Sequence, residues 1–496
     1  MAAFRPSRRD VALGALASSA VLAAPAFAQA DDVAVLGREM AALFDPSTPS
    51  GVRADFWRSR LSEAGRRATS LEAFDAEMRG VAELTGGVDL LEVRHIPEGR
   101  RAQRAFLMRP RRQGADRWVR AVADRDEPDR LFEVPSIPRP ALYDRDGPLG
   151  PVSREELAAE IERRVRYAVE RDEFSGALLV AAPDGEVVWQ GAVGLADRGA
   201  GRPATLQTPF HLGSADKSFT ALIVGRLIRE GRLSLDTRLI EVLPDYPNPD
   251  FAQACTIDHL LTHSSGLGGL FDRAAYDVQK PYERMADLFP AFAAEAPAWT
   301  PGERAGYSNE GFVVLGAVAE AVSGRSWYDL LQAQIYGPAG MKDSAHLRRD
   351  EAVDRKAVGY AFPETDRLGF GPRVRNDHIV GYRGNSCGGG YSTVGDMTRY
   401  LRALRAGELM PAAQLTDFVT ASQSGLQGYG RGFQVRPAGD RTLVGHGGGG
   451  PRSGIDGYHA VVWETGWTVS ALGANDAPFT GELARDIGLW LALQDG

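Results

Sequence analysis

The sequence predicts a chain of two units, a small α+β domain followed by a larger α/β domain in which helices flank an antiparallel sheet. Three observations lead to this fold class. The 496 residues are 44% hydrophobic and 25% charged, which is typical of a globular protein rather than a disordered chain. Helical periodicity and four short strand patterns precede a proline-rich stretch. Beyond that stretch, strand patterns occur at both ends of a mainly helical region.

The first 30 residues have the pattern of an export signal. An arginine pair at residues 8–9 precedes an apolar run over residues 11–27, and residues 28–30 supply the small side chains that signal peptidase requires. The arginine pair is typical of a twin-arginine signal, so we expect a bacterial protein exported to the periplasm. A membrane anchor is the alternative, but two serines and a proline interrupt the run. We therefore expect no membrane span after signal removal.

Charge and cysteine content exclude several classes of protein. The net charge is −8 at pH 7 and the pI is about 5.6, so the surface does not attract phosphate backbones and we expect no nucleic-acid partner. Two cysteines, Cys255 and Cys387, are too few for a disulfide scaffold or a structural zinc protein. One disulfide between them remains open, but two free thiols are the simpler interpretation.

Residues 31–134 are predicted to form the small α+β domain. Apolar residues recur at helical spacing up to residue 86, which predicts three amphipathic helices. The four strand patterns cover residues 90–96, 105–109, 118–123 and 131–134. This region resembles cystatin-like or nuclear-transport-factor-like folds, which assigns it no ligand. Residues 135–151 contain five prolines and are predicted to be a linker. Every motif lies after this linker, so we expect the small domain to be dispensable for chemistry.

Residues 152–496 are predicted to form the larger domain. Ser153 and Glu156 have the spacing of a capping box, which predicts a helix ending near Arg171. The turn at residues 183–185 joins two strand patterns into a hairpin. Later strands are predicted over residues 442–444, 458–463 and 468–472, before a last helix over 480–493. These strands would complete the antiparallel sheet that the hairpin begins.

A serine and a lysine three residues apart point to covalent catalysis. A lysine amine can take the proton of a serine hydroxyl only within hydrogen-bond reach, and residues three apart share one helix face. Ser214 and Lys217 have this spacing at the start of a predicted helix that ends near Gly231. Ser214 would then lie at a helix N-terminus, where free backbone N–H groups can stabilise an oxyanion.

Two further motifs follow in order. Tyr307-Ser308-Asn309 lies 90 residues beyond Lys217, and His446-Gly447-Gly448-Gly449 follows a predicted strand. With these motifs the sequence resembles the serine β-lactamase and penicillin-binding-protein superfamily, most closely its class C and esterase branch. In that family a Ser-x-x-Lys, a Tyr-x-Asn and a Lys/His-x-Gly triplet occur in this order. The resemblance covers about residues 151 to 496 and implies a β-lactamase-like fold with a helical subdomain.

The resemblance implies a proton-transfer unit of three side chains. Ser214 would be the acylated nucleophile and Lys217 its partner base. Tyr307 would relay protons to the leaving group and later activate the deacylating water. Taken in isolation, Tyr307 would more often be a core aromatic residue with a satisfied hydroxyl group. Its position between the other two motifs favours the catalytic role.

The resemblance also implies a set of substrate contacts. Asn309 would hold a substrate amide or carbonyl, and the backbone N–H groups of Ser214 and Gly449 would form the oxyanion hole. His446 would contact the substrate where many relatives have lysine. The threonine that usually follows is here Gly447, so a loop histidine without a substrate contact is the alternative for His446.

Two other patterns suggest different chemistries. Residues 384–388 fit the Gly-x-Ser-x-Gly elbow of α/β-hydrolases, with Ser386 as the nucleophile, but three glycines follow this serine where a helix should begin. His259 and His263 have the spacing of a zinc-binding helix, but leucine stands where the catalytic glutamate would be and no third ligand is evident. A structural pair at a helix end is the favoured interpretation of these histidines.

The sequence thus predicts an exported serine hydrolase that works through an acyl-enzyme and requires no metal or organic cofactor. Its substrate would be a small molecule or a peptide, including cell-wall-derived ones, and β-lactams, D-amino acid peptides and esters all remain open. A neutral histidine at position 446 favours neutral esters or amides over β-lactams. The alternative from another class is a non-catalytic module of the same fold that binds peptidoglycan peptides.

Overall fold

The structure is a computed structural model of the chain. It describes residues 30–96, 103–112, 114–136, 147–148, 150–273, 275–351, 353–364, 366, 368–450 and 452–496. The predicted export signal up to residue 29 and most of the predicted linker lie outside the described residues. No helix among the described residues is both long and apolar enough to cross a bilayer.

The first unit consists of four helices and a four-stranded antiparallel sheet. The helices are α1 (Ala30–Leu43), α2 (Ser50–Arg60), α3 (Glu63–Ala68) and α4 (Leu71–Thr85), and the strands are β1 (Val88–Ile96), β2 (Gln103–Pro110), β3 (Arg117–Ala123) and β4 (Leu131–Ser136), paired in that order. All four predicted strands are present. The expectation of three helices is wrong, because Leu61 is extended and Ser62 starts a separate helix by accepting the Gly65 N–H at 3.0 Å.

The core of this first unit includes two residues from the second unit. Leu368 and Phe370 are 4% and 1% exposed and pack into the cluster that fills the space between α1, α4 and the first sheet. The Phe370 ring contacts Phe44 edge to face, with the ring centroids 6.5 Å apart. The side chain of Arg117 also donates to the Gly369 carbonyl at 2.6 Å. The two units therefore share a core, and the expectation that the first unit is dispensable for chemistry stays a prediction.

The second unit begins as predicted. Ser153 and Glu156 form a capping box at the start of a long helix, and a hairpin follows it. The helices are α5 (Arg154–Glu170), α6 (Asp216–Arg229), α7 (Leu239–Val242), α8 (Pro249–Ala254), α9 (Ile257–Leu261), α10 (Asn309–Ser323), α11 (Trp327–Leu331), α12 (Val394–Arg405), α13 (Ala412–Val419) and α14 (Phe479–Leu491). Short 3₁₀ turns span Gly213–Ala215, Leu270–Asp272, Met285–Ala291 and Asp377–Ile379, and Gln332–Tyr336 forms a π-helical turn.

The strands of the second unit form one large sheet and several two-stranded ribbons. They are β5 (Gly176–Ala181), β6 (Val187–Val193), β7 (Leu195–Asp197), β8 (Arg202–Pro203), β9 (Phe210–His211), β10 (Tyr360–Ala361), β11 (Val374–Arg375), β12 (Tyr391–Ser392), β13 (Gln434–Ala438), β14 (Arg441–Gly449), β15 (Asp456–Val462) and β16 (Thr468–Gly473). The large sheet is antiparallel throughout, in the order β13-β14-β15-β16-β5-β6. The hairpin β5–β6 thus pairs with the C-terminal strands, as the sequence predicts.

The large sheet separates two layers of helices. One face packs on α5 and α14 through residues such as Leu178 and Tyr458, and the other packs on α6, α12 and the helical region through residues such as Val444 and Val461. This is the predicted α/β architecture of an antiparallel sheet flanked by helices. The nucleophile motif lies on the second side, where β14 meets the start of α6.

Candidate active site

Ser214 lies in the 3₁₀ turn Gly213–Ala215 that leads into α6. The turn follows β9, and the Gly213 N–H donates to the Nδ1 atom of His211 at 3.0 Å. Burial lowers the pKa of His211 to about 4, so this ring is a neutral acceptor at physiological pH. The α-helix begins at Asp216, two residues later than the sequence predicts, because the entry turn is wound more tightly. Ser214 still lies at the N-terminal end of the helix.

The side chain of Lys217 is completely buried beneath this turn. Its Nζ atom donates to Asn309 Oδ1 at 2.8 Å and to the Cys387 carbonyl at 2.6 Å. Burial raises the pKa of the Cys387 thiol to about 11, so this thiol next to Lys217 is neutral at physiological pH. Cys387 and Cys255 are both buried and free, which agrees with the interpretation of two unpaired thiols. Two neutral oxygens therefore hold Lys217.

Tyr307 borders the same amine. The Lys217 Nζ atom lies 4.9 Å from the centroid of the Tyr307 ring, and Tyr307 is 42% exposed. The residue precedes α10, where the side chain of Ser308 accepts the Gly311 N–H at 2.9 Å and caps the helix. The Tyr-x-Asn motif thus brings Tyr307 to the mouth of the cleft and Asn309 to its floor.

His446 lies within β14 rather than after it. Its side chain is 3% exposed, and its Nδ1 atom is 2.5 Å from the Gly447 carbonyl oxygen, which can only accept, so Nδ1 carries the proton. The Nε2 atom then accepts the hydroxyl proton of Tyr429 at 2.8 Å. Burial, followed by the charge of Lys217, lowers the pKa of His446 to about 3. His446 is therefore a neutral, buried residue of a strand rather than of a loop, and it lines neither cavity next to Ser214, so its contact with substrate stays a prediction.

The glycines after His446 let β14 approach the nucleophile turn. A Cβ atom on Gly448 would lie 1.8 Å from the Leu212 carbonyl oxygen and 2.7 Å from the Ser214 nitrogen. A Cβ atom on Gly213, whose φ is +53°, would lie 2.6 Å from the Gly449 nitrogen. Glycine is thus required on both sides of this contact. It brings the backbone N–H groups of Ser214 and Gly449 together at the wall of the cleft.

The cleft above Ser214 has a volume of about 640 Å³. Its outer wall is apolar and comes from two loops and one strand end: Phe271, Tyr276, Val278, Ile379, Val380 and Ile455. A smaller cavity of about 210 Å³ adjoins Ser214 and Tyr307 on the other side, and its lining includes the polar side chains of Gln434, Asp456 and Arg485. Ser214 lies where the two cavities meet.

Arginines near these cavities are paired with carboxylates. The pairs are Arg383 with Glu283 at 3.6 Å, Arg485 with Glu482 at 2.6 Å, and Arg452 with Glu364 at 3.2 Å. Arg452 is the neighbour of His446 in sequence that could replace a missing lysine. Its side chain is half exposed and contributes to neither cavity. The charge of Arg452 is therefore not directed at Ser214.

Two histidines of the sequence pattern separate in the structure. His259 belongs to α9 and its Nδ1 atom accepts the Thr256 N–H at 3.2 Å, whereas His263 lies two residues beyond the end of the helix. The His263 ring is buried against the Tyr307 ring, with the centroids 4.3 Å apart. His263 and Tyr429 are site residues that the motif spacing did not reveal. In the sequence, the signal available for His263 was its place in the polar stretch His263-Ser264-Ser265-Gly266.

The structure excludes the elbow interpretation of Ser386. This residue is 0% exposed, and its hydroxyl group has no hydrogen-bond partner among the described residues. A Cβ atom on Gly316 of α10 would lie 2.2 Å from the Ser386 Oγ atom, so the hydroxyl faces a helix and not the cleft. No helix follows directly, and the large sheet is antiparallel rather than parallel.

Comparisons with known proteins agree with this arrangement. The family model described as Beta-lactamase matches residues 161–484. The chain is 31% identical over 313 residues to the esterase EstB of Burkholderia gladioli, a match that covers 56% of this chain and 77% of that protein. It is 29% identical over 298 residues to a D-aminopeptidase of Brucella anthropi, which covers 58% of this chain and 54% of that protein.

A solved structure shows the same architecture. The crystal structure of a penicillin-binding protein from Bacillus halodurans superimposes with a TM-score of 0.57 at 25% identity, over 67% of this chain and 98% of that one. The family match alone extends over more than half of the chain and contains the motifs around Ser214, Tyr307 and His446. The chain therefore belongs to the β-lactamase family of serine hydrolases, together with penicillin-binding proteins and related esterases.

Proposed function

We propose that this enzyme is an exported hydrolase that forms an acyl-enzyme at Ser214 and prefers neutral esters or amides to β-lactams. The observation that carries the preference is the state of His446. A lysine at that place would offer a permanent positive charge to the carboxylate of a penicillin or of a terminal D-alanine. His446 has a pKa of about 3 and both its ring nitrogens are engaged, so it offers no such charge at physiological pH.

Acylation begins with attack of the Ser214 oxygen on the substrate carbonyl carbon. The serine proton moves to Lys217, and the carbonyl oxygen becomes an oxyanion that accepts hydrogen bonds from the backbone N–H groups of Ser214 and Gly449. The bond to the leaving group then breaks as Tyr307 delivers a proton to that group. The products of this half-reaction are an alcohol or amine and an ester between the acyl group and Ser214.

The contacts of Lys217 suit a base. An unprotonated amine has two N–H groups, and the Lys217 Nζ atom has two acceptors in Asn309 Oδ1 and the Cys387 carbonyl oxygen. The neutral amine can keep both hydrogen bonds while its lone pair remains free. The surroundings of Lys217 therefore support proton transfer from Ser214.

Deacylation reverses the proton path with water as the nucleophile. Tyr307, which is 42% exposed at the mouth of the cleft, activates the water, and the same two backbone N–H groups stabilise the second oxyanion. The Ser214 oxygen leaves and recovers its proton through Lys217. The carboxylic acid departs and the enzyme returns to its starting state.

The large cleft favours an apolar acyl group. Phe271, Ile379 and Val380 lie on exposed loops at its outer wall, and an apolar acyl chain that covered them would remove their surface from water. The smaller cavity next to Tyr307, with Gln434 and Arg485 in its lining, suits the leaving group. An esterase and a D-aminopeptidase among the relatives support substrates of this kind, and the penicillin-binding proteins keep cell-wall peptides as candidates.

Covalent labelling tests the acyl-enzyme. Intact-mass measurement should detect a fluorophosphonate adduct on the wild type and none on Ser214→Ala. Ser386→Ala is the matched control and should be labelled as fully as the wild type. Labelling that depends on Ser386 would contradict the assignment of the nucleophile. A folded wild type that reacts with no acylating probe would favour the non-catalytic peptide-binding module instead.

Substrate preference needs a second measurement. We expect kcat/KM for a short-chain nitrophenyl ester to exceed that for a chromogenic cephalosporin from about pH 5.5 to 8.5. His446 remains neutral over this range, so the preference should not reverse. A cephalosporin preference of a hundredfold, about 2.7 kcal/mol of transition-state stabilisation, would contradict the argument from His446 and make the protein a β-lactamase.

We further propose export through the twin-arginine signal, with residues 31–134 and 152–496 as the domains of the mature chain. The expected periplasmic product begins at Asp31, which N-terminal sequencing can measure. Arg8→Lys combined with Arg9→Lys should keep the precursor in the cytoplasm. Unchanged export of this double variant would contradict the assignment of the signal.

A further inference from the structure

His263 occupies an unusual backbone position next to the site. Its φ is +60°, in the left-handed region that few residues other than glycine adopt. The side chain is 0% exposed and lies between the rings of Tyr307, Phe312 and Tyr429, with centroid distances of 4.3, 5.1 and 4.6 Å. A strained conformation in a packed aromatic cluster suggests a specific task.

His263 accepts two hydrogen bonds, one from the residue before Tyr307 and one from the residue after it. The His263 carbonyl accepts the Gly306 N–H at 2.9 Å, and the Nδ1 atom of its ring accepts the Ser308 N–H at 3.0 Å. Tyr307 is the residue between these two donors. One histidine thus holds the backbone N–H groups of the residues before and after the tyrosine and also contacts its ring.

The ring can perform this task only in one protonation state. Because Nδ1 accepts a hydrogen bond, the single proton of the neutral ring is on Nε2. Burial lowers the pKa of His263 well below its ordinary value, and the positive charge of Lys217 acts in the same direction. Nε2 has no hydrogen-bond partner among the described residues, so the ring does not serve as a polar link to another side chain.

We propose that His263 is a positioning residue for Tyr307: its backbone carbonyl and Nδ1 atom clamp the backbone N–H groups of the residues on either side of the tyrosine, and its ring fixes the orientation of the phenol. The proposal rests on the proposed role of Tyr307 in proton transfer. His263 touches neither the substrate nor the reacting atoms in this scheme. It acts by holding the tyrosine hydroxyl where the leaving group and the deacylating water require it.

Two variants separate the parts of the clamp. His263→Phe keeps an aromatic ring against Tyr307 but removes the acceptor for Ser308. His263→Asn removes the ring but keeps an acceptor at the δ position, and asparagine tolerates a positive φ. We expect His263→Phe to lower kcat for the nitrophenyl ester by about 30-fold with KM changed less than about threefold. Because His263→Asn keeps the acceptor for the Ser308 N–H, its kcat should stay within about fivefold of the wild-type value.

A cycle with Tyr307→Phe tests whether the effect passes through the tyrosine hydroxyl. If it does, adding His263→Phe to Tyr307→Phe should reduce kcat by less than about twofold further, because the hydroxyl to be positioned is already absent. His259→Phe is the matched control, since His259 also accepts a backbone N–H, but that of Thr256 rather than of a neighbour of Tyr307. It should leave kcat within about twofold of the wild type. The melting temperature of each variant shows whether it is folded.

The outcomes distinguish this proposal from the proposed function. Full activity of Tyr307→Phe would overturn the role of the tyrosine itself, whatever the His263 variants do. If Tyr307→Phe is impaired, the clamp is overturned by an active His263→Phe enzyme or by losses that multiply in the double variant. Equal loss in the Phe and Asn variants would likewise overturn the clamp, because acceptor rescue is its specific signature. If His263→Phe does not fold, His263→Asn alone still tests the proposal through its kcat and its additivity with Tyr307→Phe.

Discussion

The floor and the outer wall of the cleft are built in opposite ways. The floor consists of buried polar side chains with fixed partners, such as Lys217 between Asn309 and Cys387 and His446 between Tyr429 and Gly447. The outer wall consists of apolar side chains on loops, and Phe271 and Ile379 are 58% and 43% exposed. Polar groups out of water must keep their partners, whereas exposed apolar groups can change with little cost to the fold.

This difference separates chemistry from specificity. A change on the floor alters a network in which each group depends on the next, so its effect should be large and non-additive. A change on the wall alters only the surface that a substrate would cover. We therefore expect floor variants to lower kcat and wall variants to alter KM. Four predictions can break or sharpen this comparison.

The largest effect is expected from Lys217→Ala and Tyr307→Phe. Each should lower kcat/KM by about 10³-fold, because both side chains act on the proton of the Ser214 hydroxyl. The double variant should lose much less than the product of the two single losses, since removing either member already disables the unit. Ester hydrolysis by the two single variants and the double variant provides the measurement. Strictly multiplicative losses would show that they act independently.

The second-largest effect is expected from Phe370→Ala, which removes a support of the outer wall of the cleft. Phe370 is buried in the core of the first unit and lies nine residues before Ile379, so Phe370→Ala should remove an anchor of the wall loop. We expect a loss of about 3 kcal/mol in the free energy of unfolding, together with a raised KM. Phe418→Ala, in the main core away from the cleft, should lose similar stability with KM unchanged. Urea titration and steady-state kinetics measure both, and equal KM values would contradict the anchoring.

The buried histidines of β14 and β15 predict a dependence of stability on pH. His459 lies opposite His446 on β15, and burial lowers its pKa to about 3. The unfolded chain takes up this proton near pH 6.5 but the folded ring does not, so the contribution of His459 to stability falls as the pH drops from about 6.5 to 3. His459→Leu should gain about 1.4 kcal/mol relative to the wild type per pH unit below about 6.

Urea titrations of the wild type and His459→Leu at pH 7.5 and pH 5 test this expectation. The variant isolates one group, so other titrations cancel in the difference between the two proteins. Parallel curves for the two proteins would mean that His459 is protonated in the folded state or exposed to water.

The smallest effect is expected on the wall itself. Ile379→Ala should raise KM for a hexanoate ester about fivefold and leave KM for an acetate ester nearly unchanged, because only the longer chain reaches the removed side chain. Val374→Ala is the matched control, since Val374 is 49% exposed on β11 but lies outside the cleft lining. Both variants should keep kcat within about twofold. A uniform rise in KM for both esters would mean that Ile379 acts through loop geometry rather than through contact.

The sequence alone determined the features that depend on neighbours along the chain. The capping box at Ser153, the hairpin after it and the four strands of the first unit follow from local spacing, and the structure contains all of them. Ser214 and Lys217 were predicted to share the start of a helix, and they do so with a shift of two residues. The order of the three motifs along the chain indicated the family, and the comparisons confirm it.

The tertiary structure alone decided which residues complete the site. Lys217 meets the Cys387 carbonyl 170 residues later, and His263 meets Ser308 45 residues later. Leu368 and Phe370 likewise pack into a core whose other residues lie far away in the chain. The hydrogen bond between Tyr429 and His446 depends on how the chain folds back on itself and not on a motif. Spacing in sequence specifies which side chains share a face of one element. It does not specify which elements meet, since that depends on how the whole chain buries its apolar surface and satisfies its polar groups.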